Sequence, residues 1–396
     1  MARFRARGLA AIVASLVLAG GCAAPVSASS HPETGRTAAP PPPVTRPQAP
    51  LAAAPPAAPA PAAPSRLWPF KRLFNTDYVD VRAIAERYGL TPAWVTSGRV
   101  MQLVDAPGRA RLKFEDRNHD FYLDGVRVFM GGATVSYQGS LYVSKIDVIK
   151  TIAPLLRPAD HANLLPGPPR LIVLDPGHGG NDPGNQNSAL RLDEKDMTLD
   201  VAQRLKKVLE ARGYRVLLTR TDDRRVDLEE RDFIATRAKA DLFLSIHFNA
   251  LPPALADRVS GTETYAMTPQ FQASTQPEKD KEMIPALYPG NRQDYASTVL
   301  GYQLHRRLLA DLRTSDRGYK RARWVVLRFA GCPAALIEAA FLSNAPEARR
   351  VATPEYRQRI AEAIAGGVDD YAATLAALRR PASVPVDTPA PPASSK

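Results

Sequence analysis

The chain has 396 residues, 45% of them hydrophobic and 23% charged, enough for two domains or for one large domain with tails. Two cysteines exclude a disulfide framework and a cysteine-rich zinc module. A formal net charge of +12 points to an anionic neighbour, whether nucleic acid, a membrane surface or an acidic polymer. Of the 37 prolines, fourteen fall between Pro25 and Pro69 and five between Pro381 and Pro392, so the proline excess belongs to linkers rather than to a fold.

The first 22 residues, MARFRARGLAAIVASLVLAGGC, read as an address. Arg3, Arg5 and Arg7 precede an apolar run from Leu9 to Leu18 that is too short to span a bilayer comfortably and sits where an export signal sits. Ala19-Gly20-Gly21-Cys22 resembles a bacterial lipobox, with Ala19 where Leu is usual, and the resemblance implies a lipoprotein whose lipidated first residue is Cys22. An ordinary signal peptide cut after Ala23 or Ala24 is the alternative; both predict an exported protein of the periplasm or cell envelope. Residues 23–66 are Ala, Pro, Ser and Thr with few large apolar side chains, which predicts a disordered, polyproline-leaning tether.

Residues 67–160 predict a small α+β module. A short helix is expected from Val79 to Tyr88, stopped by Gly89, then alternating segments punctuated by Gly125, Gly131-Gly132 and Gly139, then a helix near Ile146 to Leu156. The segment SLYVSKIDVIKTIAPLLRP resembles the stalk-like module found at the N-terminus of copper amine oxidases. Nothing here looks catalytic, and His119 among Asp116, Asn118 and Asp120 reads as a polar turn.

After a linker over Leu164 to Arg170, strand and helix patterns alternate through a domain at 168–378, followed by a disordered tail over 379–396. Leu171-Ile-Val-Leu and Leu242-Phe-Leu-Ser-Ile are buried strands. Thr198 to Gly213 has helical spacing with Thr198 as cap, Tyr214 to Thr219 is a strand, and Asp227 with Glu230 offers a capping box for the next helix. Thr268 to Asn291 reads as a polar loop, with a lid the alternative. Helix is expected at Thr298 to Leu312, strand at Trp324 to Leu327 and Ala334 to Ile337, and helix at Glu355 to Leu378. The alternation predicts an α/β fold, an open, twisted, mostly parallel sheet with helices on both faces.

In such a sheet ligands bind beyond the carboxyl ends of the strands. His178 lies there in the loop Pro176-Gly177-His178-Gly179-Gly180, His247 ends one strand and Glu338 another, and Glu194 precedes a helix. Two imidazoles and a carboxylate are a normal set for a catalytic zinc with one open position. Taken singly, each residue has a bland explanation, and spacing does not force them together. Asp175 and Asn249 flank the histidines as possible orienting partners. His305, beside Arg306 and Arg307, is expected to face solvent. Arg317, Lys320, Arg321 and Arg323 form a basic cluster that suits either a peptide carboxylate or a solvated loop. Cys332 is expected to be buried and inert.

The segments LIVLDPGHGGNDPGN, EKDMTLDVAQRL, RGYRVLLTRTDD, LEERDFIATRAKADLFLSIHFNA and CPAALIEAAFLSN resemble, in order, the zinc-dependent N-acetylmuramoyl-L-alanine amidases of the AmiC-like, amidase type 3 family. The resemblance implies one Zn2+ bound by His178, Glu194 and His247, with Glu338 as the catalytic carboxylate; Ala340 stands where the family usually has Gly. It implies hydrolysis of the amide between N-acetylmuramic acid and the L-alanine of the peptidoglycan stem peptide, in cell-wall remodelling or daughter-cell separation. Partners are then peptidoglycan and a membrane if Cys22 is lipidated; whether an activator protein exists is not readable from the sequence. A non-enzymatic, peptidoglycan-binding envelope lipoprotein and a zinc peptidase acting within stem peptides are the alternatives. Before residue 170 there are 19 basic and 11 acidic residues; from 170 to 380 there are 32 and 28. The excess charge thus sits mainly outside the catalytic region, and an anionic envelope accounts for it without nucleic acid.

Overall fold

The computed structural model describes residues 67–275 and 283–379. The export signal, Cys22, the tether and the tail beyond Arg379 lie outside the described residues. The N-terminal part is an antiparallel meander of β1 (Thr91–Thr96), β2 (Val100–Val104), β3 (Ala110–Glu115), β4 (Asp120–Leu123) and β5 (Val126–Phe129). A separate four-stranded sheet (Lys71–Leu73, Thr76–Asp80, Ser140–Ser144, Val135–Tyr137) packs with helix α1 (Val81–Tyr88). Gly89 ends α1 at φ +65°, where a side chain would be strained.

The C-terminal region adds β6 (Leu171–Pro176), β7 (Arg215–Leu218), β8 (Leu242–Asn249), β9 (Thr262–Met267), β10 (Asp316–Ala322) and β11 (Ala334–Phe341). The order β7-β6-β8-β11 is parallel; β9 runs antiparallel to β11 and parallel to β10. Runs such as LIVL are apolar throughout because both faces are covered. Ile172 and Leu174 face a core with Val201 and Leu205 of α2 (Glu194–Ala211), while Val173 faces the opposite core with Phe243, Leu336 and Ala235 of α3 (Leu228–Arg237). Helices α4 (Asp294–Leu312) and α7 (Pro354–Ala377) pack with α2; the short α5 (Val325–Arg328) joins α3 on the other side, and α6 (Ala345–Val351) follows β11.

One feature of the chain order is invisible in the sequence. Strand β5 runs parallel to β10, with Val128 opposite Tyr319, so the meander and the catalytic strands form one eleven-stranded mixed sheet. Val79, Ile84, Leu103 and Phe114 share a core with Ala266, Tyr302 and Tyr319. Asp147 adds a polar fastening: it accepts from the Gly131 and Gly132 amides at 2.8 and 3.0 Å, from Ser144 Oγ, and from Gln272 Nε2 across the boundary. Part of the stretch read as a polar loop is thereby held against the N-terminal module.

Several local expectations change. Helix α2 starts at Glu194 because Asp193 takes the cap position and the Glu194–Asp196 acids suit a helix N-terminus. Thr198, freed from capping, donates from Oγ1 to the Gly177 carbonyl at 2.9 Å. The Asp227 side chain caps nothing, and the Glu230 amide uses the Asp227 carbonyl instead. The strand expected at Trp324 to Leu327 is a helical turn; the strand is the basic stretch before it, where Arg317 and Lys320 pair with Glu263 and Arg321 donates to Thr298 Oγ1 rather than to solvent. His305 is fully buried, not solvent-facing, because α4 is covered on both sides; Nε2 meets Asp316 Oδ1 at 2.9 Å and Nδ1 meets Thr264 Oγ1 at 3.2 Å. His119 is exposed in a bend. Cys332 is a buried free thiol that burial pushes up to about 12.

Asp232 on α3 is buried, and its Oδ2 has no partner among the described residues. Burial raises its carboxyl from 3.8 to about 7. Folding therefore retains a proton that the unfolded chain has released, so this group's stability contribution is complete below about pH 4 and is lost as pH rises through 7. Asp232→Asn should flatten that loss: its urea midpoint should exceed the parent's at pH 8 and match it near pH 4.

Candidate metal and catalytic site

The site forms where β6, β8 and β11 end. Glu194, at the first position of α2, is 1% exposed. Its Oε1 accepts from the Phe248 amide at 2.9 Å and its Oε2 from the Asn185 amide at 2.8 Å. Two histidines close on the same carboxylate: His247 Nδ1 lies 2.9 Å from Oε1 and His178 Nε2 3.2 Å from Oε2. The imidazoles stand edge to face, 5.0 Å apart. One donor atom from each of His178, Glu194 and His247 lies within 4.8 Å of the other two. Two nitrogens and a carboxylate oxygen at this separation fit a zinc ion with a fourth position open.

The loop carrying His178 is crowded. A Cβ on Gly177 would lie 2.3 Å from His247 Cε1, and one on Gly184 would lie 2.6 Å from His178 Cδ2 and 2.7 Å from Glu194 Oε2. His178 itself has φ +62°, a left-handed conformation that a side chain rarely adopts. Two buried guanidiniums hold the loop. Arg231 donates to Asp175 Oδ1 and the Pro176 carbonyl, both at 2.8 Å, and to the His178 carbonyl at 2.9 Å. Arg220 donates to the carbonyls of Pro176, Gly177 and Lys195 at 3.0, 2.9 and 2.7 Å. The two guanidiniums thereby satisfy buried carbonyls at the end of β6 and in the first turn of α2, with Thr198 Oγ1 as a second donor to Gly177.

Electrostatics follow from this packing. Burial alone would lower the His178 imidazole, yet its bonds to Asp182 and Glu194 raise it to about 10. Burial alone would raise Glu194, yet the two histidines hold it far below the usual carboxylate range. Glu338 is opposite: desolvation first, then the charges of Glu194 and Glu263, push its carboxyl well up. It stands opposite His247 in the β8–β11 register, and its Oε2 is shielded and without a hydrogen-bond partner among the described residues.

The structure therefore brings together His178, Glu194 and His247, with Glu338 beside them. Among the described residues Asp175 hydrogen-bonds to neither histidine; it accepts from Thr219 Oγ1 and Ser245 Oγ, both at 2.7 Å, and is linked to the His178 carbonyl through Arg231. Asn249 donates to Glu263 Oε2 at 3.1 Å rather than to His247. On the side of the His178 ring away from Glu194 the partner is Asp182, at 2.9 Å from Nδ1. Its position four residues after His178 in the same glycine-rich loop was the available signal. Arg220, Arg231 and Glu263 carried no comparable signal.

A family described as N-acetylmuramoyl-L-alanine amidase matches residues 172–370. The chain belongs to this amidase family. It is 35% identical over 200 residues to N-acetylmuramoyl-L-alanine amidase LytC of Bacillus subtilis, covering 50% of this chain and 35% of that one. It is 30% identical over 233 residues to the amidase AmiC of Escherichia coli, covering 54% and 55%. A solved N-acetylmuramoyl-L-alanine amidase from Clostridium difficile aligns at 28% identity with a TM-score of 0.43, over 52% of this chain and 97% of that one. The chain thus spans between a third and about half the length of these two curated relatives. The family match begins inside β6 and lends no support to the copper amine oxidase resemblance of the N-terminal module.

Arg231→Met should test the clamp on the loop. It leaves Asp175 a buried, unpaired carboxylate, so stability should fall by about 3–5 kcal/mol, read from urea unfolding.

Proposed function

We propose that this protein is an exported, zinc-dependent amidase that hydrolyses the bond between N-acetylmuramic acid and the L-alanine of the peptidoglycan stem peptide. The carrying observation is the donor triad of His178, Glu194 and His247 with the unpartnered Glu338 carboxylate beside it, in a chain of this amidase family. His178, Glu194 and His247 would hold the ion. When bound, zinc supplies Lewis acidity and makes water reactive near neutral pH. Asp182 fixes the His178 ring through Nδ1, which leaves Nε2 for the ion. Glu338 Oε2, with no partner to release among the described residues, takes the proton of the attacking water and returns it to the departing alanine nitrogen. Its desolvated position raises its proton affinity, which favours the first of these transfers.

The same reading gives the rest of the chain its tasks. Residues 1–22 direct export, Cys22 carries a lipid, and residues 23–66 are a tether to the membrane. Among the described residues no helix is long and apolar enough to cross a membrane. The activity serves wall remodelling or daughter-cell separation.

Purified protein incubated with sacculi should release stem peptides bearing a free N-terminal L-alanine, identified by mass spectrometry. A chelator should abolish release. Glu338→Gln should reduce the rate about a hundredfold to ten-thousandfold while retaining its bound zinc by elemental analysis. Saturable binding without cleavage would instead identify a wall-binding lipoprotein, and products cut between stem residues a peptidase.

A further inference from the structure

One charged cluster beside Glu338 has no task in this scheme. Glu263 on β9 is 2% exposed and receives four donors. Lys320 Nζ and Arg317 Nε reach Oε1 at 2.6 and 3.0 Å; Tyr265 Oη and Asn249 Nδ2 reach Oε2 at 2.7 and 3.1 Å. Two cations thus share the one Glu263 carboxylate.

The backbone explains how both cations reach the same carboxylate. Residues three apart on a regular strand point to opposite faces. Here Thr262 pairs with Asp316 and Thr264 with Tyr319, so Arg317 and Gly318 together oppose Glu263 in a bulge. The extra residue brings Arg317 and Lys320 to one side. On that side Glu263 stands opposite Glu338, and Glu338 opposite His247. The row therefore runs from the metal triad to Arg317 over three strand spacings, about 14 Å, or roughly four residues of extended peptide.

The two cations differ in what they have left to offer. Lys320 is enclosed, its Nζ 5.4 Å from the centre of the Phe129 ring and 5.7 Å from that of Tyr265. Arg317 is braced through Nε by Glu263 and lies 5.5 Å over the Phe341 ring. Its Nη1 and Nη2 have no hydrogen-bond partner among the described residues, and its side chain remains 23% exposed. A guanidinium anchored by its inner nitrogen and open along its outer edge matches the two oxygens of a carboxylate.

We propose that Arg317 binds a carboxylate of the stem peptide and so selects acidic peptides for cleavage. This rests on the amidase reading above. The test uses two synthetic N-acetylmuramoyl peptides of equal length, one bearing a free carboxylate within its first residues and the other the matching carboxamide. The parent enzyme should favour the carboxylate by about ten- to a hundredfold in kcat/KM. Arg317→Gln should bring that ratio close to one, and Arg317→Lys should restore part of it. An unchanged ratio in Arg317→Gln, equal losses on both peptides, or a parent enzyme that does not discriminate would each overturn the assignment. If neither peptide is cleaved, the amidase reading fails instead. The ratio of binding affinities for the two peptides, measured by calorimetry on parent and Arg317→Gln, then decides the role of Arg317 alone.

Discussion

Everything at the candidate site depends on two guanidiniums kept from water. Arg220 and Arg231 donate to the backbone carbonyls of Pro176, Gly177 and His178 at the end of β6, where the Gly177 amide still donates to the Ile246 carbonyl of β8 at 3.0 Å. A strand that stops inside a protein leaves polar groups that must be satisfied. Here side chains satisfy them, and in doing so hold His178 in a left-handed conformation that its own sterics disfavour. Asp175, buried directly beneath and fixed by Thr219 and Ser245, balances one of the two charges. Position of the first imidazole is thus set by charge and hydrogen bonding from behind, and position of the second by the strand that carries it.

A second constraint is the continuity of the sheet. The site residues sit on or beside β6, β8 and β11, and the cationic row continues across β9 to β10. Strand β10 is in turn held by β5, by the Arg127 amide donating to Asp316 at 2.8 Å, and by Phe129 against Lys320. Buried His305 ties the same Asp316 to α4. Through Phe129 the N-terminal module therefore forms one wall of the pocket in which Lys320 and Glu263 are paired.

Much of this was legible in the sequence. Apolar runs that stop abruptly at His178, His247 and Glu338 mark strand ends, and strand ends in an open α/β sheet are where ligands bind. Helix α1 follows from its spacing and the Gly89 stop, and α4 and α7 lie close to the helices expected at Thr298 to Leu312 and Glu355 to Leu378. What stayed hidden has a common cause. Arg220, Arg231 and Arg321 are almost fully buried, whereas arginine in a sequence reads as surface. Strand β10 is rich in such residues, and its bulge breaks the alternation by which a strand is recognised, so the neighbouring apolar run was read as the strand instead. Asp175 and Asn249 lie close to the histidines along the chain, but sequence proximity does not say which neighbour a side chain will choose. The joining of β5 to β10 is a contact between residues almost two hundred positions apart, and no local pattern encodes it.

That joining bears on how the chain can be cut. A fragment beginning near Leu171 would contain every residue of the metal triad and would look self-sufficient from the family match. It would also strip β5 from β10 and leave a row of unpaired backbone groups, flanked by the newly bared Tyr319 and Ala266. Such an edge is a template for association with another copy. In this protein the boundary between a recognisable catalytic region and what precedes it is a seam in the homology, while the folding unit continues through it.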